Sequence, residues 1–216
     1  MTKRSFNLRK GIAGIAICLA GVVVLFVGCS QLLSELSPPP IYSSEAMDEL
    51  ITDLKKIAET YTIEEVRLHE KDDLTSDFGM AIVTMRDSEG KKFEQDLYYN
   101  YAIPNDDPRP VQDNWYGKKP KKTYIEIDEI IAQKDNIEKY VEEAKVQVTE
   151  KLDNYNFRSV GRITFTYDKQ GDMRIEITIN ITEKGKSERR EHGRMVTDYY
   201  EAVFYVDKNG NVIYKE

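Results

Sequence analysis

The sequence predicts an α+β protein made of two tandem helix-plus-antiparallel-sheet units, and three observations carry this. Apolar residues recur at helical spacing twice, in Met47, Leu50, Leu54, Ile57 and Tyr61 and again in Ile130, Ile137, Val141, Ala144, Val148 and Leu152. Each helical stretch precedes segments that alternate apolar and polar residues, the pattern of strands with one wet face. Turns of the form D-x-[EQN]-G begin at Asp87, Asp168 and Asp207. In each, aspartate accepts turn N–H groups and glycine takes the positive-φ position of a type I turn with a bulge. The units cover about 44–127 and 128–216. The same observations also allow one domain with two helices on a single large antiparallel sheet.

The chain opens with Lys3, Arg4, Arg9 and Lys10 and no acid, and residues 11–28 then carry no charge, the layout of an export signal. At 18 residues the apolar run is also long enough for an uncleaved anchor. The flank decides between the two. Phe26-Val27-Gly28-Cys29 resembles the bacterial lipobox, with Phe26 where leucine is usual. The resemblance implies that 1–28 is a lipoprotein signal peptide cut after Gly28, and that Cys29 takes a diacylglycerol thioether. It further implies, from Ser30 after the cysteine, an outer-membrane location where the cell has such a membrane, and otherwise the outer face of the plasma membrane. With the four bases held on the cytoplasmic side, everything from Ser30 onward is expected to lie outside the cytoplasmic membrane. Cys18 leaves with the signal.

Residues 29–43, with Pro38-Pro39-Pro40, read as a lipidated tether stiffened toward polyproline geometry. Ser44 is a suitable N-cap for the first helix. Residues 62–69 follow as a strand, then two strands joined at Asp87–Gly90. Asp135 with Glu138 forms a capping-box pattern that restarts the second helix. MRIEITINIT puts Met173, Ile175, Ile177, Ile179 and Ile181 on one face and pairs with RITFTY. The ending, YYEAVFYVDKNGNVIY, is similar to the closing hairpin of PepSY-type domains. The helix-plus-sheet units resemble the cystatin-like and nuclear-transport-factor-2-like folds. Both resemblances imply binding or regulation more than catalysis.

Charge narrows the function. Losing the four bases of 1–28 takes the net charge from −7 to −11, a field that repels phosphates and argues against nucleic acid as a partner. Asp207, Asn209 and Asn211 imitate the opening of a calcium loop, but glycine stands at the fourth position rather than the sixth and no twelfth-position glutamate follows. His69 and His192 are solitary, so no zinc set is expected. His192 has Ser187 and Glu188 nearby, yet no strained elbow for a nucleophile. No catalytic residue and no cofactor follow from these patterns.

Two basic clusters stand out, Lys118, Lys119, Lys121 and Lys122 in one loop, and Lys184, Lys186, Arg189, Arg190 and Arg194 in another. The first lies in the loop 104–122, too long for an ordinary connection, beside Trp115 and Tyr116. An exposed Trp-Tyr pair suits a peptide or a sugar face. Trp115, Tyr116 and the four lysines are therefore the candidate partner-binding residues, for a protein or glycan. The expectation is a membrane-tethered extracytoplasmic lipoprotein that acts as a non-catalytic binding module. The alternatives are an envelope hydrolase or glycan-processing enzyme with carboxylates still to be identified, and a scaffold subunit of an envelope complex.

Overall fold

The computed structural model describes residues 38–99, 103–113, 124–168, 170–186, 188–192 and 194–215, and residues 38–216 form one compact unit. The elements are α1 (Ser44–Ala58), β1 (Thr62–Glu70), β2 (Phe78–Arg86), β3 (Lys92–Tyr98), β4 (Arg109–Pro110), α2 (Ile127–Gln133), a 3-10 turn (Lys134–Asn136), α3 (Ile137–Lys151), β5 (Tyr155–Tyr167), β6 (Met173–Glu183), β7 (Glu188–Glu191), β8 (Arg194–Thr197), β9 (Tyr200–Val206) and β10 (Val212–Tyr214). Among these, eight strands make a single antiparallel sheet in the order β10-β9-β6-β5-β1-β2-β3-β4. The class is α+β. Of the two arrangements the sequence allows, the sheet is the single large one, because β1 and β5 pair directly, with Val66 opposite Phe165 and Leu68 opposite Ile163.

Register makes one face continuous. Leu97, Ala81, Leu68, Ile163, Ile177 and Phe204 stand opposite one another across six adjacent strands, and all are buried. Met47, Leu50 and Leu54 of α1 and Ile137, Val141, Ala144 and Val148 of α3 are buried in the same core. The period-3.6 and period-2 patterns thus bury against each other, and each large aliphatic side chain contributes about 1.5–3 kcal/mol.

The three aspartate turns adopt one geometry. Oδ1 of Asp87, Asp168 and Asp207 accepts the N–H groups two and four residues on, at 2.8–3.0 Å. The glycine at the fourth position has φ 81°, 86° and 81° respectively. Antiparallel register puts all three turns at the same end of the sheet.

At the other end the chain enters the fold. Phe78 N–H donates to Pro39 C=O at 2.7 Å and Ile41 N–H to Ser76 C=O at 2.8 Å. Ile41 is 0% exposed. Lys145 of α3 lies over the rings of Tyr42 and Phe157, at 5.0 and 4.8 Å. Residues 38–43, expected as the end of the tether, thus pack with the compact unit, where an apolar side chain and backbone partners await them. Ser43, rather than Ser44, caps α1, its Oγ accepting Ala46 N–H at 3.1 Å.

The second helix breaks where expected, but the Asp135–Glu138 capping box does not form. A 3-10 turn covers 134–136, and the reciprocal cap lies at the start of α2, where Glu129 accepts Glu126 N–H at 3.1 Å. The first part of the 104–122 loop is also ordered against the sheet. Arg109 and Pro110 pair with Glu94 and Phe93, and Arg109 donates to Asp96 at 2.9 Å and Glu94 at 2.8 Å. This seals the β3 edge, which would otherwise offer unpaired backbone to another chain.

Candidate functional site

The described residues enclose a cleft of about 390 Å³ at the turn end of the sheet, the size of a small-ligand site. Its floor is Met173, Ile175 and Val206. One wall comes from Glu129, Gln133, Asn136 and Tyr140, the other from Asp172 and the turn Asp207–Gly210. The helix break lies in this wall: Gln133 ends α2, Asn136 ends the 3-10 turn, and Tyr140, buried in the core, sits in the first turn of α3.

Tyr140 organises the wall. Its hydroxyl donates to Gln133 Oε1 at 3.0 Å and would lie 3.3 Å from a Cβ placed on Gly210. Glycine at 210 is thus favoured by its positive φ, and a side chain there would also press on the phenol. Burial first, and then the charges of Glu143 and Asp207, push the Tyr140 hydroxyl up from its ordinary pKa, so it stays a neutral donor at physiological pH.

The carboxylates of the cleft already have partners. Glu129 accepts from the Tyr167 hydroxyl, Asp172 faces Lys208 Nζ at 3.4 Å, and Asp207 caps its own turn while its Oδ2 accepts from the Asn211 amide at 3.0 Å. Hydrogen bonds from Asn211 and from turn N–H groups hold the Asp207 carboxyl below its usual range. What remains for a ligand is an apolar floor ringed by amide and hydroxyl groups. This chemistry suits a neutral polar molecule, such as a sugar ring or a peptide amide. Among the described residues, no three His, Cys, Asp or Glu side chains gather closely enough to hold a metal ion.

Cys29, Trp115, Tyr116, Lys118, Lys119, Lys121 and Lys122 all lie outside the described residues. The second basic cluster occupies the β6–β7 connection and the β7–β8 hairpin, where Glu188 pairs with Thr197 and Glu191 with Arg194. Lys186 is bonded to Glu183 at 2.7 Å and Lys184 to Asp153 C=O at 2.6 Å, while His192 sits exposed at the hairpin turn with φ 48°. Sequence reasoning missed Gln133, Asn136 and Tyr140. Their spacing of three and four across the helix break is a signal, but it is also that of an ordinary helix face.

Among the described residues, no helix is long and apolar enough to cross a membrane. Comparison with known proteins finds no matching family model, no matching curated protein and no matching solved structure.

Proposed function

We propose that the protein is a lipoprotein, anchored through Cys29 on the outer side of a membrane, and that its folded unit is a non-catalytic binding module for a protein or glycan component of the cell envelope. The observation that supports this reading most is polarity along the strands. The chain enters at Pro38, beside the start of β2, and the cleft lies at the opposite end. Nine Cα-to-Cα steps lead from Cys29 to Pro38, a reach of at most about 30 Å. The cleft is thus at the end of the strands opposite the point of attachment. The engaged state of the cleft carboxylates favours binding over acid–base chemistry.

Two measurements test it. Cys29→Ala should abolish incorporation of labelled fatty acid and block cleavage after Gly28; a membrane-bound wild-type protein that retains its N-terminal residues would show an uncleaved anchor instead. Affinity capture from native envelopes, with Tyr140→Phe and Asn136→Ala as controls, should yield a ligand or partner whose recovery falls in the variants. Equal recovery would remove the cleft from the proposal. Trp115, Tyr116, Lys118, Lys119, Lys121 and Lys122 stay proposed as an additional partner contact.

The finer reading of the fold is two repeated units, cystatin-like or nuclear-transport-factor-2-like. Strand order supports it: in each half a helix precedes four strands paired in sequence order, β1-β2-β3-β4 and β5-β6-β9-β10, with the two first strands adjacent. Co-expressed as two chains divided between 113 and 124, the halves should reassemble into one cooperatively unfolding molecule. Failure to associate would count against independent units.

A further inference from the structure

The face of the sheet away from the core carries its own row, Tyr98, Met80, His69, Arg162, Thr178 and Val203, opposite one another across six strands. Charges on this face are mostly paired. Arg67 meets Glu94 at 2.8 Å, Arg109 meets Glu94 and Asp96 at 2.8 and 2.9 Å, and Arg174 meets Glu176 at 3.8 Å. Arg162, at the centre, differs. Among arginines whose side chains are described, it has no carboxylate within 4.0 Å, and its hydrogen bond is a long one of 3.3 Å to Thr178 Oγ1. On the neighbouring strand, directly opposite, His69 Nε2 is buried without a hydrogen-bond partner. Arg67 Nε and Arg174 Nε on the same face are also buried without a hydrogen-bond partner.

The backbone is shaped to put Arg162 there. Val160 faces the core and is 0% exposed, so simple alternation would turn residue 162 inward too. An irregularity between Val160 and Arg162 inserts Gly161 as an extra residue, which turns Arg162 to the outer face and restores Ile163 to the core. A Cβ at 161 would come within 2.8 Å of Asn180 Nδ2, so the bulge needs glycine. A second irregularity, between His69 and Glu70, lies alongside. Bulges of this kind re-aim side chains beside functional sites.

We infer that Arg162 and His69 form a binding site for a carboxylate group of a ligand lying across the outer face of the sheet. The planar fork of guanidinium matches a carboxylate with two parallel hydrogen bonds. His69 Nε2 gains a partner when it carries the proton, which lifts the cost of leaving it buried and unpaired. The groups that face His69 are Arg67 on its own strand, Met80 on β2, Arg162 on β5 and, one strand farther, Asp96 and Tyr98 on β3 and Thr178 on β6. The site is independent of membrane anchoring and of the cleft.

The two histidines of the chain make the test direct. The full chain, labelled with ¹³C at the histidine Cε1 and held in a neutral maltoside detergent, is titrated with sodium acetate replacing sodium chloride at constant ionic strength. The His69 signal should shift saturably and its titration midpoint should rise, while the exposed His192 stays unchanged. Arg162→Gln should weaken acetate about tenfold or more, the loss expected for one charge-assisted bond. Arg162→Lys keeps the charge and loses the fork; it should weaken acetate as well, and serves if R162Q does not fold. Parallel, unsaturable shifts of both histidines, or unchanged affinity in the arginine variants, would overturn the site. Saturation with inorganic phosphate but not with acetate would overturn the carboxylate assignment.

Discussion

Removing Pro38–Tyr42 asks whether the segment before the first helix is tether or domain, and the structure sets the size of the answer. A chain beginning at Ser43 loses Ile41, a fully buried side chain whose truncation alone costs about 2–5 kcal/mol in a well-packed core. It also loses the bonds to Pro39 C=O and from Ile41 N–H, at 2.7 and 2.8 Å, each worth about 0.5–1.5 kcal/mol net. The Phe78 N–H, on a residue that is 0% exposed, is left without an acceptor, and an orphaned buried donor costs about 1–3 kcal/mol. These terms overlap, and a combined loss of about 5 kcal/mol is the working figure. That is a large share of the ~5–15 kcal/mol by which domains are stable. With a urea dependence of about 2.5 kcal/mol per molar, the unfolding midpoint should fall on the order of 2 M. The assay is urea unfolding followed by far-ultraviolet circular dichroism, comparing chains that begin at Pro38 and at Ser43, with Ile41→Ala in the longer chain as an intermediate. Coincident midpoints for the two chains would refute the reasoning and return residues 38–42 to the tether.

Gly210→Ala and Gly90→Ala should separate two costs: both glycines have φ 81°, but a Cβ at Gly90 meets nothing within 4 Å while one at Gly210 meets the Tyr140 hydroxyl at 3.3 Å. Thermal unfolding should show about 1–2 kcal/mol lost at Gly90 and a larger loss at Gly210; equal losses would mean that Tyr140 yields freely. His69 should make stability pH-dependent. Burial, then Arg162 and Arg67, lower its pKa from 6.5, so the folded state resists the proton that the unfolded chain accepts. Stability is then full above about pH 6.5 and falls as pH drops from there toward the folded value. His69→Gln should flatten this part of the urea-midpoint profile, and an unchanged slope below pH 6.5 would assign it to other groups. For Trp115, red-shifted emission readily quenched by iodide is expected of an exposed contact residue, whereas blue-shifted emission that resists quenching would place the ring in packing.

Much of the core was legible in the sequence because it depends on periodicity alone. Met173 through Ile181 alternate without interruption, and β6 buries Ile175, Ile177, Ile179 and Ile181 on that face with Met173 half-buried at its end, but the opposite face, expected to be wet, buries Thr178, Asn180 and Thr182 as well. The three turns were legible for a similar reason. Aspartate bonding to its own turn and glycine at positive φ are local chemistry, needing no information from the rest of the chain. Ile41 was not legible, since a single apolar residue beside three prolines carries no period. Arg162 was not legible either: the bulge at Gly161 shifts the alternation by one, and a glycine inside a strand pattern does not say which way the next side chain turns.

Sequence by itself determined the α+β class, the apolar faces, the turn geometry and the acidic balance of this protein, because these follow from the chemistry of residues a few positions apart. Only the tertiary structure decided that the strands form one sheet through β1 and β5, that residues 38–43 pack with that sheet, and that Gln133, Asn136 and Tyr140 face the Asp207 turn across a cleft. Each of these joins residues distant in sequence. Strand neighbours are chosen by which apolar faces can be buried together, a property of the whole chain that no local pattern specifies.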